Sequence, residues 1–248
     1  LNELSGGRCT APEAEELIRG KHVSGEEGPG PSTSPDPGIH HVADVDGVLG
    51  LDPLHLTPLR IALARVEARF AGTQWLLLLP RPGRLAGLRG PAEVTTLALE
   101  AGAIVVASDG GPGWIPLQVG PAIQWRVVDV QRPLAPPTPS EASRAFASIV
   151  IEAAGGLASL GATAGTRPRS APLLLPRGYP TMSASLLDRA LTVLTAYRAG
   201  MDAQSEIVSS FAVLGREGHL RELRDAALDA VSAAASWPSR AMQSEVGR

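Results

Sequence analysis

Two short apolar runs constrain the fold of this chain more than any other feature of its sequence. The run QWLLLLP ends at Pro80, and the run AIVVA spans residues 103–107. Each run is too short for an ordinary helix and is bounded by proline or glycine, which is typical of a strand buried on both faces. The segment between them predicts a helix that begins at Pro91 and ends at Gly102. A strand, a helix and a second strand in this order predict a parallel pair joined by a right-handed crossover.

A hairpin follows the second apolar run and changes the character of the predicted sheet. The segments WIPLQV and AIQWRVVDV are separated by Gly120 and Pro121. In the second segment Trp125 alternates with Gln124 and Arg126, as expected for a strand with one wetter face. An antiparallel hairpin added to a parallel pair predicts a mixed sheet.

Helix signals flank these strands. Thr57 can cap a helix with Pro58 at its first position, and Gly72 would end it. Further along the chain, Thr138 and Glu141 have the spacing of a capping box and begin a long amphipathic segment. Three more helices are predicted over about 183–199, 202–214 and 218–236.

The chain thus divides into five segments. Residues 1–38 combine low hydrophobicity with many prolines and glycines, which predicts a disordered tail. Residues 39–130 form the mixed part, 131–139 a proline-rich connector, 140–236 the helical part and 237–248 a loose tail. The predicted fold class is α+β: a small mixed sheet with a strand-helix-strand unit and a hairpin, followed by a C-terminal helical layer or bundle.

Charge and cysteine content exclude several function classes. The formal net charge is −3 and the isoelectric point is near 6.0, so no overall positive field favours nucleic acid or an anionic membrane. The single cysteine, Cys9, excludes an intramolecular disulfide. Glutamates occupy the first twenty residues where a signal peptide would need an apolar region, and no apolar run is long enough to span a bilayer. A cytoplasmic protein that binds neither nucleic acid nor membranes is expected.

The segment WLLLLPRPGRLAGLRGPAEVTTLALEAGAIVV resembles a family of conserved hypothetical proteins from actinobacteria. The similarity lies in the apolar strand ending in Pro-x-Pro-Gly, the following Gly-Leu-x-Gly-Pro and the helix-to-strand segment. Looser matches extend it over roughly residues 55–235. The resemblance implies a shared fold and no activity, because the shared features are turns and packing positions.

One motif suggests an enzyme. Asp44 and Asp46, in the segment ADVDGVLG, have the spacing of the nucleophile and the acid-base residue in haloacid dehalogenase-like phosphatases, which also bind magnesium. Such enzymes also need a Ser or Thr after the next strand, a later basic residue and an acidic pair. LLLLPRP has no hydroxyl residue, and Lys21 is the only lysine. A turn leading into the Thr57 helix is the simpler interpretation.

The same stretch also contains potential metal ligands, namely His40, His41, Asp44, Asp46 and His55. No helix or strand spacing unites them, so a metal site is not predicted. A third candidate is the loop RPGRLAGLRG, in which Arg81, Arg84 and Arg89 precede a helix N-terminus and could bind an anion. Its glycines match neither a dinucleotide fingerprint nor a P-loop, so an ordinary solvated loop is the competing interpretation.

The sequence therefore favours a soluble, non-enzymatic binding or scaffolding protein without a cofactor. Its partner would be a protein or a small anionic ligand. The alternative is a metal-dependent hydrolase of a phosphorylated small molecule that uses Asp44 and Asp46, and the sequence alone leaves open whether the protein is an enzyme.

Overall fold

The chain folds into two compact units in a computed structural model. We call Leu1–Ala135 the sheet unit and Pro136–Arg248 the helical unit. The boundary between them falls within the predicted connector. The structure describes residues 1–19, 39–160, 173–176, 178–202 and 210–238.

Six strands form one mixed sheet in the sheet unit. They are β1 (His40–Ala43), β2 (Thr57–Pro58), β3 (Trp75–Leu78), β4 (Ile104–Ala107), β5 (Gly111–Val119) and β6 (Ala122–Val130). Their order across the sheet is β2-β1-β6-β5-β4-β3. The β5–β6 hairpin confirms the prediction, and the sheet is mixed because β1 runs parallel to β6 while every other pair is antiparallel.

The predicted parallel pairing of β3 with β4 is wrong. Leu78 at the end of β3 pairs with Ile104 at the start of β4, so the two strands are antiparallel. The connection runs along the length of the sheet twice. The loop after β3 first returns toward the end of the sheet where β3 begins, and there Arg89 O accepts a hydrogen bond from Gln131 N. Helix α4 (Ala92–Ala101) then leads to the opposite end, where β4 starts. A single helical crossover would have given parallel strands.

The first predicted helix begins later than its capping signal indicated. Thr57 pairs with Val42 in β2, so Thr57 is not the N-cap. α3 (Leu59–Arg69) starts after Pro58, and its inward residues are Leu59, Ala62, Leu63 and Val66. Pairing with β1 decided the conformation of Thr57, which the local sequence could not show.

The prediction of a disordered tail over residues 1–38 is wrong for the first part of that range. Residues 2–18 contain α1 (Asn2–Ser5) and α2 (Ala11–Ile18). Leu4, Ala11 and Ala14 are buried in a core shared with the sheet, which packs this segment against residues far along the chain. Residues 20–38 lie outside the described residues.

Two apolar cores cover the two faces of the sheet. On one face, α1, α2 and α3 pack on Trp75, Trp114, Val42 and Val127. On the other, α4 and the loop before it cover a cluster that includes Leu76, Leu78, Ile104, Val106, Ile115 and Val128. Gln124 and Arg126 share this second face by register with β1 and β5 and are half-buried, which agrees with the predicted wetter side of β6.

Three long helices form the helical unit: α5 (Pro139–Ser159), α6 (Thr181–Asp202) and α7 (Ser210–Ser236). The predicted capping box starts α5, because Thr138 Oγ1 accepts from Glu141 N. Alanines of α7 are buried against Phe146, Leu186 and Leu187, and their small size lets the helices approach closely. Helix over 218–236 is confirmed, but the predicted break between helices over 202–214 and 218–236 is wrong, since α7 continues through Gly215 and Gly218. Residues 203–209 lie outside the described residues.

The predicted loose tail begins with an anchored residue. Trp237 Nε1 donates a hydrogen bond to Pro137 O, which ties the end of α7 to the start of α5. Residues 239–248 lie outside the described part of the chain.

Candidate functional site

Asp44 follows β1 directly and therefore lies at the C-terminal end of a parallel strand. Its side chain is 1% exposed. Oδ2 accepts hydrogen bonds from Leu49 N at 3.0 Å and from Leu51 N at 2.9 Å. Oδ1 is buried and has no hydrogen-bond partner among the described residues.

These contacts make Asp44 the internal support of the loop that follows β1. The backbone closes two successive turns, in which Gly47 N donates to Asp44 O and Gly50 N donates to Gly47 O. Leu49, which is fully buried, anchors the loop in the core. Asp46 is exposed, so the two carboxylates do not face one site. The motif that resembles a nucleophile loop is, in its local geometry, a carboxylate-capped turn.

Asp44→Ala is expected to lower the free energy of unfolding of the sheet unit by about 2–3 kcal/mol, because the buried amide of Leu49 and the partly buried amide of Leu51 lose their acceptor. Asp44→Asn is the matched control, since an amide oxygen can still accept from Leu49 N and Leu51 N. Urea unfolding followed by tryptophan fluorescence measures both. An Asp44→Ala protein as stable as Asp44→Asn would refute the supporting role.

The arginine loop is a tight turn whose three arginine side chains differ in exposure. Arg81 and Arg84 exchange two backbone hydrogen bonds around Pro82 and Gly83, which turns the chain tightly. The Arg81 side chain is buried, and its Nη1 donates to Leu79 O at 3.3 Å. Arg84 and Arg89 are exposed. The three guanidinium groups therefore do not share one solvent-facing surface.

Asp44 and Arg81 lie at opposite corners of the sheet. The order β2-β1-β6-β5-β4-β3 separates β1 from β3 by three strands, which corresponds to about 19 Å at the usual strand spacing. The strand directions also place the end of β1 and the end of β3 at opposite ends of the sheet. The structure does not bring these two predicted groups together.

The histidines are also dispersed. His40 is buried and its Nδ1 accepts from Trp125 Nε1, whereas His41 points to the opposite face of the sheet by strand alternation. His55 is exposed and pairs with Asp52 at 2.9 Å. Within the described ranges, no group of three or more His, Cys, Asp or Glu side chains could hold a metal ion.

Exposed leucines in the same loop form a feature that the sequence reasoning missed. Leu54 is 86% exposed and Leu56 is 54% exposed, and Val45 is 48% exposed. Val45 follows β1 while Leu54 and Leu56 precede β2, and these two strands pair at Val42 and Thr57. We call these three residues the loop patch. Its signal in the sequence is a series of leucines in GLDPLHLTPL whose spacing fits no single helix or strand face.

One family model matches part of the chain. Residues 32–142 match the family model described as Rv1486c-like protein, N-terminal domain. This segment contains the loop patch, Asp44 and all six strands, and the match confirms the resemblance to an actinobacterial family. No curated protein and no solved structure matches the chain. Among the described residues, no helix combines the length and the apolar character that crossing a membrane requires.

Proposed function

We propose that this chain, whose residues 32–142 belong to the Rv1486c-like N-terminal domain family, is a non-enzymatic binding protein that contacts a protein partner through the loop patch. The observation that carries the proposal is the exposure of Leu54 and Leu56 on a loop that is otherwise anchored in the core. Large apolar side chains held at a surface are typical of protein interaction sites.

Rigid presentation supports this proposal. Asp44 fixes the backbone at Leu49 and Leu51, and pairing of Thr57 with Val42 fixes the other end of the loop. The loop therefore loses little conformational entropy when a partner binds, and more of the contact energy contributes to affinity.

The surroundings of the loop patch indicate the chemistry of the partner. Asp46 and the Asp52–His55 pair are exposed beside the three apolar residues. An apolar centre with a polar rim fits a folded protein surface with a complementary apolar centre. A small anion is disfavoured at this place because the rim carboxylates are negative.

The double variant Leu54→Ser/Leu56→Ser is expected to weaken partner binding at least about tenfold, since truncation of a central apolar contact commonly costs more than 1 kcal/mol. The variant should keep its stability because both side chains are exposed. Ile151→Ser is the matched control, because Ile151 is 74% exposed in α5. Each immobilised protein is used to capture partners from an actinobacterial lysate, and the captured protein is then purified and titrated calorimetrically.

A partner that binds the wild type and Ile151→Ser equally, but binds the double variant at least tenfold more weakly, supports the proposal. The heat capacity change of binding should also be negative, because apolar surface is buried. A purified partner with the same affinity for all three proteins would contradict it, as would the failure of any captured protein to bind the wild type after purification.

The alternative function, a metal-dependent hydrolase using Asp44 and Asp46, has less support. Its nucleophile would be a buried carboxylate with one oxygen committed to two backbone amides. Magnesium-dependent hydrolysis of a generic phosphomonoester that is lost in Asp44→Asn would favour this alternative. Anion binding by Arg81, Arg84 and Arg89 also stays a prediction, with Arg84 and Arg89 as its exposed members.

A further inference from the structure

Three polar side chains lie side by side on one face of the sheet. β1 runs parallel to β6, with His41 beside Gln124 and Ala43 beside Arg126. Because side chains alternate along a strand, His41, Gln124 and Arg126 share one face. Ile115 of the second apolar core pairs with Arg126 from β5 and lies on the same face. We call His41, Gln124 and Arg126 the polar cluster, and all three are half-buried.

Two nitrogen atoms of the polar cluster are buried without a hydrogen bond. Arg126 Nε and His41 Nδ1 have no hydrogen-bond partner among the residues that the structure describes. Buried polar atoms in folded proteins are nearly always hydrogen-bonded, because an unsatisfied one costs free energy. The other nitrogens of these two side chains are not buried in this way, so a ligand can reach them from solvent. Two unsatisfied nitrogens on paired strands indicate one bound group that both side chains contact.

The polar cluster also carries a positive charge. Arg126 is protonated at every physiological pH. In the described part of the chain, no carboxylate forms an ion pair with Arg126 or with His41. A half-buried cation without a counterion is unfavourable unless a bound group supplies the opposite charge. The polar cluster therefore favours an anion.

The arrangement of donors selects the kind of anion. His41 and Arg126 are diagonal neighbours on paired strands, about 7–8 Å apart at this spacing, which places an anion within reach of both side chains. The guanidinium, the Gln124 amide and the imidazole can each donate hydrogen bonds. Donors from three side chains match the three acceptor oxygens of a phosphate group better than the two oxygens of a carboxylate.

We propose that the polar cluster binds the phosphate group of a small molecule, with Arg126 as the counterion and His41 and Gln124 as additional donors. The site is separate from the arginine loop, whose members Arg84 and Arg89 are exposed and precede α4. The proposal is independent of the proposed function, because it uses no residue of the loop patch. Failure of either proposal therefore leaves the other unaffected.

Calorimetric titration of the full chain with inorganic phosphate, at pH 7.5 and at an ionic strength held constant with chloride, tests the site. The wild type should bind phosphate saturably, and Arg126→Gln should bind it at least about tenfold more weakly, because a charged hydrogen-bond donor is lost. Arg89→Gln is the matched control and should bind like the wild type, because Arg89 lies in the arginine loop. No saturable binding by the wild type, or equal losses in the two variants, would overturn the proposal.

The histidine rings provide a test in the wild type that does not depend on how a variant folds. On titration with phosphate, the NMR resonances of the His41 ring should shift with the same saturation curve. Those of His40, which lies on the opposite face of the sheet, should stay in place. Movement of both rings together, or of neither, would contradict a site at the polar cluster. Acetate should bind at least about tenfold more weakly than phosphate, and acetate binding of equal strength would overturn the assignment to phosphate.

Discussion

Replacing Gly87 by alanine is expected to lower the free energy of unfolding of the sheet unit by about 3–5 kcal/mol. Gly87 has a φ of +88°, and a Cβ atom there would meet the carbonyl oxygen of Leu134 inside contact distance. That oxygen belongs to the backbone, so either the loop between β3 and α4 or the segment after β6 must move. The movement breaks the hydrogen bond from Leu134 N to Gly87 O at 2.9 Å, which holds this loop against the segment after β6.

Gly83→Ala separates the effect of the contact from that of the backbone angle. Gly83 has a φ of +80°, but a Cβ atom there would meet nothing within 4 Å. Gly83→Ala should therefore lower the free energy of unfolding only by the conformational cost of a positive φ, which is about 1–2 kcal/mol. Urea unfolding followed by fluorescence measures both variants, since Trp75, Trp114 and Trp125 all lie in the sheet unit. Equal losses in the two variants would mean that the contact with Leu134 contributes nothing.

Trp75→Ala is expected to cost about 3–5 kcal/mol, because it removes one of the largest fully buried side chains. The ring packs edge to face on Phe70 at 6.1 Å between centroids, and Nε1 donates to Ser5 Oγ at 2.7 Å. The backbone of the same residue exchanges two hydrogen bonds with the Asn2 side chain. The substitution should therefore destabilise α1 together with the sheet.

Trp75→Phe distinguishes loss of the ring from loss of the hydrogen bond. It keeps one aromatic ring and removes the donor to Ser5 together with part of the indole volume, so we expect a smaller loss of about 1–2 kcal/mol. Urea unfolding by far-ultraviolet circular dichroism is the appropriate measurement, because Trp75 is itself a fluorophore. Exchange of the α1 amides should increase in Trp75→Ala. Unchanged protection of α1 in that variant would show that Trp75 does not hold this segment.

The candidate site shows where local sequence reasoning reaches its limit. The Asp-x-Asp-Gly spacing at Asp44 is real, and Asp44 does lie at the end of a parallel strand. What a motif cannot encode is the direction of the carboxylate, which here faces the amides of Leu49 and Leu51 and lies far from Arg81. The sequence also did not predict the loop patch, because the exposure of a leucine in a loop depends on which of the neighbouring residues are buried in the core.

The sequence by itself determined the features that depend only on residues close together in the chain. The apolar runs predicted β3 and β4, the Thr138–Glu141 spacing predicted the start of α5, and Gly102 predicted the end of α4. Tertiary structure alone decided the antiparallel pairing of β3 with β4, because that depends on a loop crossing the sheet before α4 begins. It also decided that α1 and α2 are ordered, since their helices are short and gain stability only by packing on a core formed by residues far along the chain.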